Sequence, residues 1–102
     1  VYTGTTEQVA TDSSILIKLF PNPNSGLFTH ELNMARTDEN SGRLNLQVIN
    51  SLGQIFYEKN IPLIQSQISE EVVLDGSVQT GLYFLRVSCG EMVETTRMML
   101  LR

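Results

Sequence analysis

From residue 15 onward the chain alternates short apolar runs with clusters of turn-forming residues. ILIKLF at 15–20 has the β-branched and aromatic density of a strand and stops at PNPNSG (21–26). There proline fixes φ, while Asn and Gly accept left-handed backbone. GLFTHEL (26–32) follows, with Phe28, His30 and Leu32 on one side and Leu27, Thr29 and Glu31 on the other. The polar stretch NMARTDENSG (33–42) reads as a loop. RLNLQVIN (43–50) alternates most regularly: Leu44, Leu46 and Val48 form one face, and period two implies one buried side. Asn50-Ser51-Leu52-Gly53 predicts a tight turn into a strand at 53–60, so 43–60 reads as a β-hairpin. Pro62 places its surroundings at an edge or a crossover. Strands at 68–74 and 82–88 flank the turn region DGSVQTG (75–81). Tyr83, Leu85 and Val87 face one way, and Cys89-Gly90 turns into a last strand over 91–102.

No window carries a 3.6-residue apolar period over ten or more residues. Seven short strands with short polar connectors in one domain-sized chain predict an all-β fold, a seven-stranded antiparallel immunoglobulin-like β-sandwich. Residues 1–14, rich in Thr and Ser and poor in apolar side chains, read as a flexible linker or a frayed lead-in, and 15–102 as the folded domain. The abrupt start at Val1 suggests a piece of a longer protein.

Composition narrows the function classes. The chain has 102 residues, 41% hydrophobic and 18% charged, enough for one core without metal or disulfide staples. Its net charge is −4, and its seven basic residues are dispersed with no two adjacent. Nucleic-acid binding needs a concentrated phosphate-neutralising patch, so no nucleic-acid partner is expected. No stretch approaches the ~20 apolar residues that span a bilayer, so no membrane insertion is expected. Cys89 is the single cysteine, which excludes an internal disulfide and a cysteine zinc cluster.

Reactive chemistry has little to build on. His30, the single histidine, lacks a sequence-adjacent partner on its own face and reads as a strand or surface histidine without a special role. Cys89 has no nearby base and reads as a semi-buried structural thiol. Glu70 and Glu71, adjacent in a strand, face opposite ways and cannot form a glycosidase-type pair alone. Asp38-Glu39-Asn40 offers few of the six to eight oxygens calcium needs and reads as solvated loop charge. Met92, Met98 and Met99 read as gap fillers, and Met98 and Met99 cannot both face one core. Phosphate-loop, zinc-protease and nucleophile-elbow motifs are missing from the sequence. No catalytic residue, cofactor or metal is expected.

IKLFPNPNSGLFTHEL (17–32), LQVINSLGQIFYEK (46–59) and VVLDGSVQTGLYFLRVSCGEMVETTRMMLLR (72–102) together resemble the C-terminal sorting domain, type A, of the Bacteroidetes type IX secretion system. The resemblance spans roughly 15–102 and rests on an ordered set. Pro21, Asn22, Pro23, Gly26 and Phe28 form the turn signature, and Gly53 is the hairpin glycine. Gly81, Tyr83, Arg86 and Val87 form the late-strand signature; Leu100, Leu101 and Arg102 end the chain. Met98-Met99 and Cys89 depart from the pattern.

The resemblance implies a non-enzymatic secretion tag. Its partners would be the type IX translocon and shuttle proteins, a sortase-like cysteine protease and the upstream cargo domain of the same precursor. The tag would pass through the periplasm and reach the cell surface or medium, with cleavage in the lead-in, where extended backbone is accessible. The last strand, 91–102, is the expected edge for recognition by strand addition. The alternative is an immunoglobulin-like adhesion or carbohydrate-binding module of an extracellular enzyme. It lacks support from aromatics: the chain has no Trp, and Tyr2, Tyr57 and Tyr83 form no obvious platform. A small hydrolase is disfavoured by the missing catalytic set.

Overall fold

The structure, a computed structural model, describes residues 15–34, 43–62 and 67–102. The linker expected at 1–14 and the Asp38-Glu39-Asn40 loop lie outside them. The described residues form seven strands: β1 (Ile15–Phe20), β2 (Leu27–Met34), β3 (Arg43–Ile49), β4 (Ile55–Pro62), β5 (Gln67–Val73), β6 (Gly81–Cys89) and β7 (Met92–Leu100). They make a three-stranded sheet of order β1-β2-β5 and a four-stranded sheet of order β4-β3-β6-β7, all strand pairs antiparallel. This is the expected sandwich. Its fourth strand pairs with the third, whereas an immunoglobulin constant-type sandwich places it in the other sheet.

The alternation places the core. Phe28, Leu32 and Met34 of β2, Leu44, Leu46 and Val48 of β3, Leu85 and Val87 of β6, and Met98 and Leu100 of β7 are all buried between the sheets. Fully burying one such side chain contributes about 1.5–3 kcal/mol. Met98 faces in while Met99 is exposed, as the strand period demands. Cys89 is buried, as its reading as a structural thiol supposed.

The boundaries differ in physically readable ways. β2 continues through Asn33 and Met34, expected as loop, because Met34 keeps the inward phase and pairs with Ile15. β4 begins at Ile55. Gly53 and Gln54 belong to the turn, where Asn50 Oδ1 accepts from the Leu52 and Gln54 amides at 2.9 Å each. Gly53 there has φ +86°, a left-handed value that favours glycine. Pro62 ends β4, an edge strand, as its missing N–H requires. β7 stops at Leu100, and the Leu101 and Arg102 amides that follow donate to the Asn24 carbonyl and to Thr80 Oγ1.

Candidate recognition surface

The turn at 21–26 does more than reverse the chain. The Asn22 side chain reaches the outer edge of β7: its Nδ2 donates to the Arg97 carbonyl at 2.9 Å, and its Oδ1 accepts from the Met99 amide at 3.0 Å. The Asn24 backbone continues the pattern, its N–H donating to the Met99 carbonyl at 3.0 Å and its carbonyl accepting from the Leu101 amide at 2.8 Å. Asn22 to Asn24 thus acts as a short surrogate strand, and Asn24 and Leu100 form a parallel bridge. Asn24 is buried. Its Oδ1 accepts from the Gly26 amide at 2.9 Å and its Nδ2 donates to the Pro21 carbonyl at 3.2 Å. Proline suits both flanks because neither position has an amide to satisfy.

The chain terminus closes the same end. Arg102 donates from its backbone amide to Thr80 Oγ1 at 2.9 Å and from its guanidinium to the Asp75 carbonyl at 2.8 Å. The guanidinium lies over Gly26, where an added Cβ would come within 2.7 Å of Nη2 and where φ is +111°. Gly26 therefore serves two needs, left-handed backbone and room for the terminal arginine. Its carbonyl also accepts from the Leu74 amide at 2.8 Å. Ser77 hydrogen bonds hold the Asp75 carboxyl below the usual carboxylate range, with Arg102 adding a smaller pull.

The remaining signature residues divide by role. Phe28, Tyr83, Val87 and Leu100 are core, and Tyr83 also donates its hydroxyl to the Gln79 carbonyl at 2.7 Å. The Tyr83 ring meets Phe56 edge-on, with centroids 5.3 Å apart. Gly81 opens β6 with room for a Cβ in ordinary contact with Tyr83. Pro21, Asn22 and Pro23 are exposed on the turn, and Gly53 stands in its own turn with open space around it. Arg86 is exposed and Leu101 half-exposed at 52%. The register brings the 21–26 turn, the 50–54 turn, the 75–80 connection and the terminus to one end of the sandwich. Sequence reading missed Asn24, Thr80 and Gln79. Only the density of Asn in the turn hinted at the first, and the other two act through a hydroxyl and a carbonyl that no pattern marks.

One expectation changes and another is decided. β7 is an edge strand, but its backbone from Arg97 to Leu101 is already occupied by Asn22 and Asn24, so the segment open for strand addition shortens to its first half. Of its two readings, strand or surface, His30 takes the first. It is fully buried on the inner face of β2, because its strand phase matches Phe28 and Leu32. Among the described residues neither ring nitrogen has a hydrogen-bond partner, and Nε2 is 3.8 Å from Glu70 Oε1. Burial pushes its pKa below 6.5, with the Glu70 carboxylate pulling the other way. Glu70 in turn accepts from Lys59 Nζ at 3.1 Å, tying β5 of one sheet to β4 of the other. Glu71 faces solvent on the opposite side, as adjacent strand residues must.

Among the described residues no group of three or more His, Cys, Asp or Glu could hold a metal ion. Tyr57 is half-buried and Tyr83 buried, so these two rings offer no flat sugar-stacking platform.

Comparison with known proteins agrees with this picture. The family model described as "Secretion system C-terminal sorting domain" matches residues 18–101. Among solved structures, dimeric latent PorU from Porphyromonas gingivalis superposes with a TM-score of 0.69 at 15% identity, over 97% of this chain and 10% of that one. At that identity the likeness speaks for the fold, and the chain spans about a tenth of that protein. No curated protein matches the sequence.

Proposed function

The chain belongs to the family of secretion-system C-terminal sorting domains, the C-terminal signal of type IX secretion, and from that membership we propose how it is used. It works as a folded label for an upstream cargo, without a reaction of its own. The outer-membrane translocon and its shuttle proteins bind the label after transit through the periplasm. A sortase-like cysteine protease at the surface cuts in the 1–14 lead-in, and the cargo stays at the surface or enters the medium. The signature residues act mainly by building this label.

The observation that carries the reading is the joining of the two termini of the signature. Asn22 and Asn24 are hydrogen-bonded to β7, and Arg102 lies over Gly26. Such a joint lets a machine test, at one place, that the tag is complete and folded. A reporter fused ahead of residues 15–102 tests this in a bacterium with a working type IX apparatus. The reporter is expected in the medium or on the surface; retention in the periplasm would overturn the reading. Deletion of 98–102 is expected to abolish export, since it removes both the β7 edge and Arg102.

A further inference from the structure

The outer face of the four-stranded sheet is divided into two chemically different halves. Register places Asn60, Asn45, Ser88 and Val93 in one row, and Glu58, Gln47, Arg86 and Thr95 in the next, a half that is polar but for Val93. Here the amides satisfy each other: Asn45 Nδ2 donates to Glu58 Oε2 and to Asn60 Oδ1, and Gln47 Nε2 donates to Glu58 Oε2, all at 3.0 Å. The following row runs Ile55, Ile49, Phe84 and Arg97, and beyond it Leu82 pairs with Met99. Ile55 is 51% exposed, and Leu82 and Met99 remain open to solvent. This half is an apolar strip across β4, β3 and β6, which Leu82 and Met99 extend onto β7 beside Arg97. A strip of that kind on a folded domain marks an interaction site.

Charge selects what would cover it. Arg86 and Arg97 are diagonal neighbours on adjoining strands, a spacing of roughly 7–8 Å that long side chains bridge. Phe84 is the cross-strand partner of Arg97 and lies two residues from Arg86 on the same face. Both arginines are exposed, and among the described residues neither side chain has a hydrogen bond or an ion pair. The one acid of the face, Glu58, is held by Asn45 and Gln47. So a chain of net charge −4 presents here a local excess of two unpaired guanidiniums around an aromatic ring. Arginine beside an aromatic is the composition of an energetic centre in protein interfaces, and guanidinium pairs carboxylates in bidentate fashion. The outer face of the other sheet differs. Lys18 there stands opposite Glu31 and Glu71 adds a second acid, so the exposed Leu16, Phe20, Leu27 and Val73 of that face share it with a net negative balance and no arginine.

We propose that this strip is the docking face for a protein of the export machinery that presents carboxylates beside aliphatic side chains, with Phe84 seated between Arg86 and Arg97. The inference rests on the sorting role and names the surface through which it is read. The test exports a reporter fused to the domain from a bacterium with a working type IX apparatus, comparing the unchanged tag with Arg86→Glu/Arg97→Glu and with Arg86→Gln/Arg97→Gln. A photo-reactive phenylalanine at Thr95, between the arginines, captures whatever lies on the face. Export is expected to fall about tenfold or more in the Glu pair and less in the Gln pair, with the melting temperature of the purified domains unchanged. The captured peptide is expected to carry Asp or Glu among aliphatic residues. Unchanged export in both pairs would overturn the docking face while leaving the sorting role intact. Retention of the unchanged fusion would overturn both. Capture only of lipid, saccharide or a second copy of the domain would overturn the proposed partner.

Discussion

Along the β1–β7 side, the two sheets are joined through the 21–26 turn by four hydrogen bonds between uncharged amide groups, two from the Asn22 side chain and two from the Asn24 backbone. Along the β4–β5 side, they are joined by the Lys59–Glu70 ion pair, which stands over a buried histidine whose nitrogens find no hydrogen-bond partner among the described residues. The first seam satisfies edge groups that would otherwise be open to strand pairing, and it is insensitive to pH and salt. The second leaves a polar group unsatisfied in the core and relies on charges that water and salt screen. One side of the sandwich is built for permanence and the other is the side where it gives way first.

The sharpest way to break the contrast is at Gly26. Gly26→Ala puts a Cβ into left-handed backbone and against the Arg102 guanidinium, and is expected to cost roughly 2–3 kcal/mol. That lowers the midpoint of thermal unfolding by on the order of 10 °C. Gly81→Ala is the control, because its Cβ would meet Tyr83 at an ordinary 3.8 Å. Equal melting of the two variants would show that the turn does not hold the β1–β7 seam.

Asn22→Ala comes next. It removes two hydrogen bonds from the β7 edge, at about 1–2 kcal/mol, and leaves the freed groups to water because the site is exposed. Hydrogen exchange at the Met99 amide reports it directly. Protection there should fall while Leu85, in the centre of β6, keeps its own. Unchanged protection at Met99 would mean that the side chain decorates the edge without closing it.

The first seam was half legible in the sequence and the second hardly at all. PNPNSG announces a turn through residue types that accept unusual φ, and the alternation in 43–48 and 82–88 fixes which side chains are core. What pattern cannot show is where the turn docks. The Asn22 and Asn24 bonds to β7 join groups at opposite ends of the chain, and nothing local to either end encodes them. For His30 the sequence leaves a strand or a surface position open; its phase with Phe28 and Leu32 points inward, and the strand period decides between them. Glu70 and Lys59 lie in separate sheets and carry no mutual signal in sequence. Arg86 could be read as a signature residue, yet the strip around it appears only once four strands are placed side by side.

His30 offers an effect of the opposite sign. His30→Leu replaces an unpartnered buried imidazole by an apolar side chain of similar size, and is expected to stabilise the domain by about 1 kcal/mol at neutral pH. It should also remove a pH dependence. Burial lowers the folded pKa of His30 beneath the 6.5 of an unperturbed imidazole, so the unfolded chain binds the proton first. Stability is therefore full above about pH 6.5 and falls as the pH drops below it, by at most about 1.4 kcal/mol per pH unit until the folded group also titrates. Denaturant melts between pH 7.5 and 5 check this. The unchanged domain should weaken across that range more steeply than His30→Leu, and parallel slopes would show that the Glu70 carboxylate already neutralises the cost of burial.

Lys59→Met should have the smallest effect. Lys59 is 47% exposed on its side chain, so its attraction to Glu70 is screened and partly offset by the entropy of holding a long side chain in place. At moderate salt the melting midpoint is expected to stay within experimental scatter of the unchanged domain. The informative reading is the interaction with pH. With Lys59 gone, Glu70 is free to turn toward His30, and the opposing charge that lowers the histidine's proton affinity is removed. The folded pKa of His30 then moves back toward its unfolded value, so the acid-induced loss of stability, which still sets in below about pH 6.5, should be smaller in Lys59→Met. A loss as large as in the unchanged domain, or larger, would show that Lys59 and His30 do not compete for the same carboxylate and that the β4–β5 seam is an ion pair and nothing more.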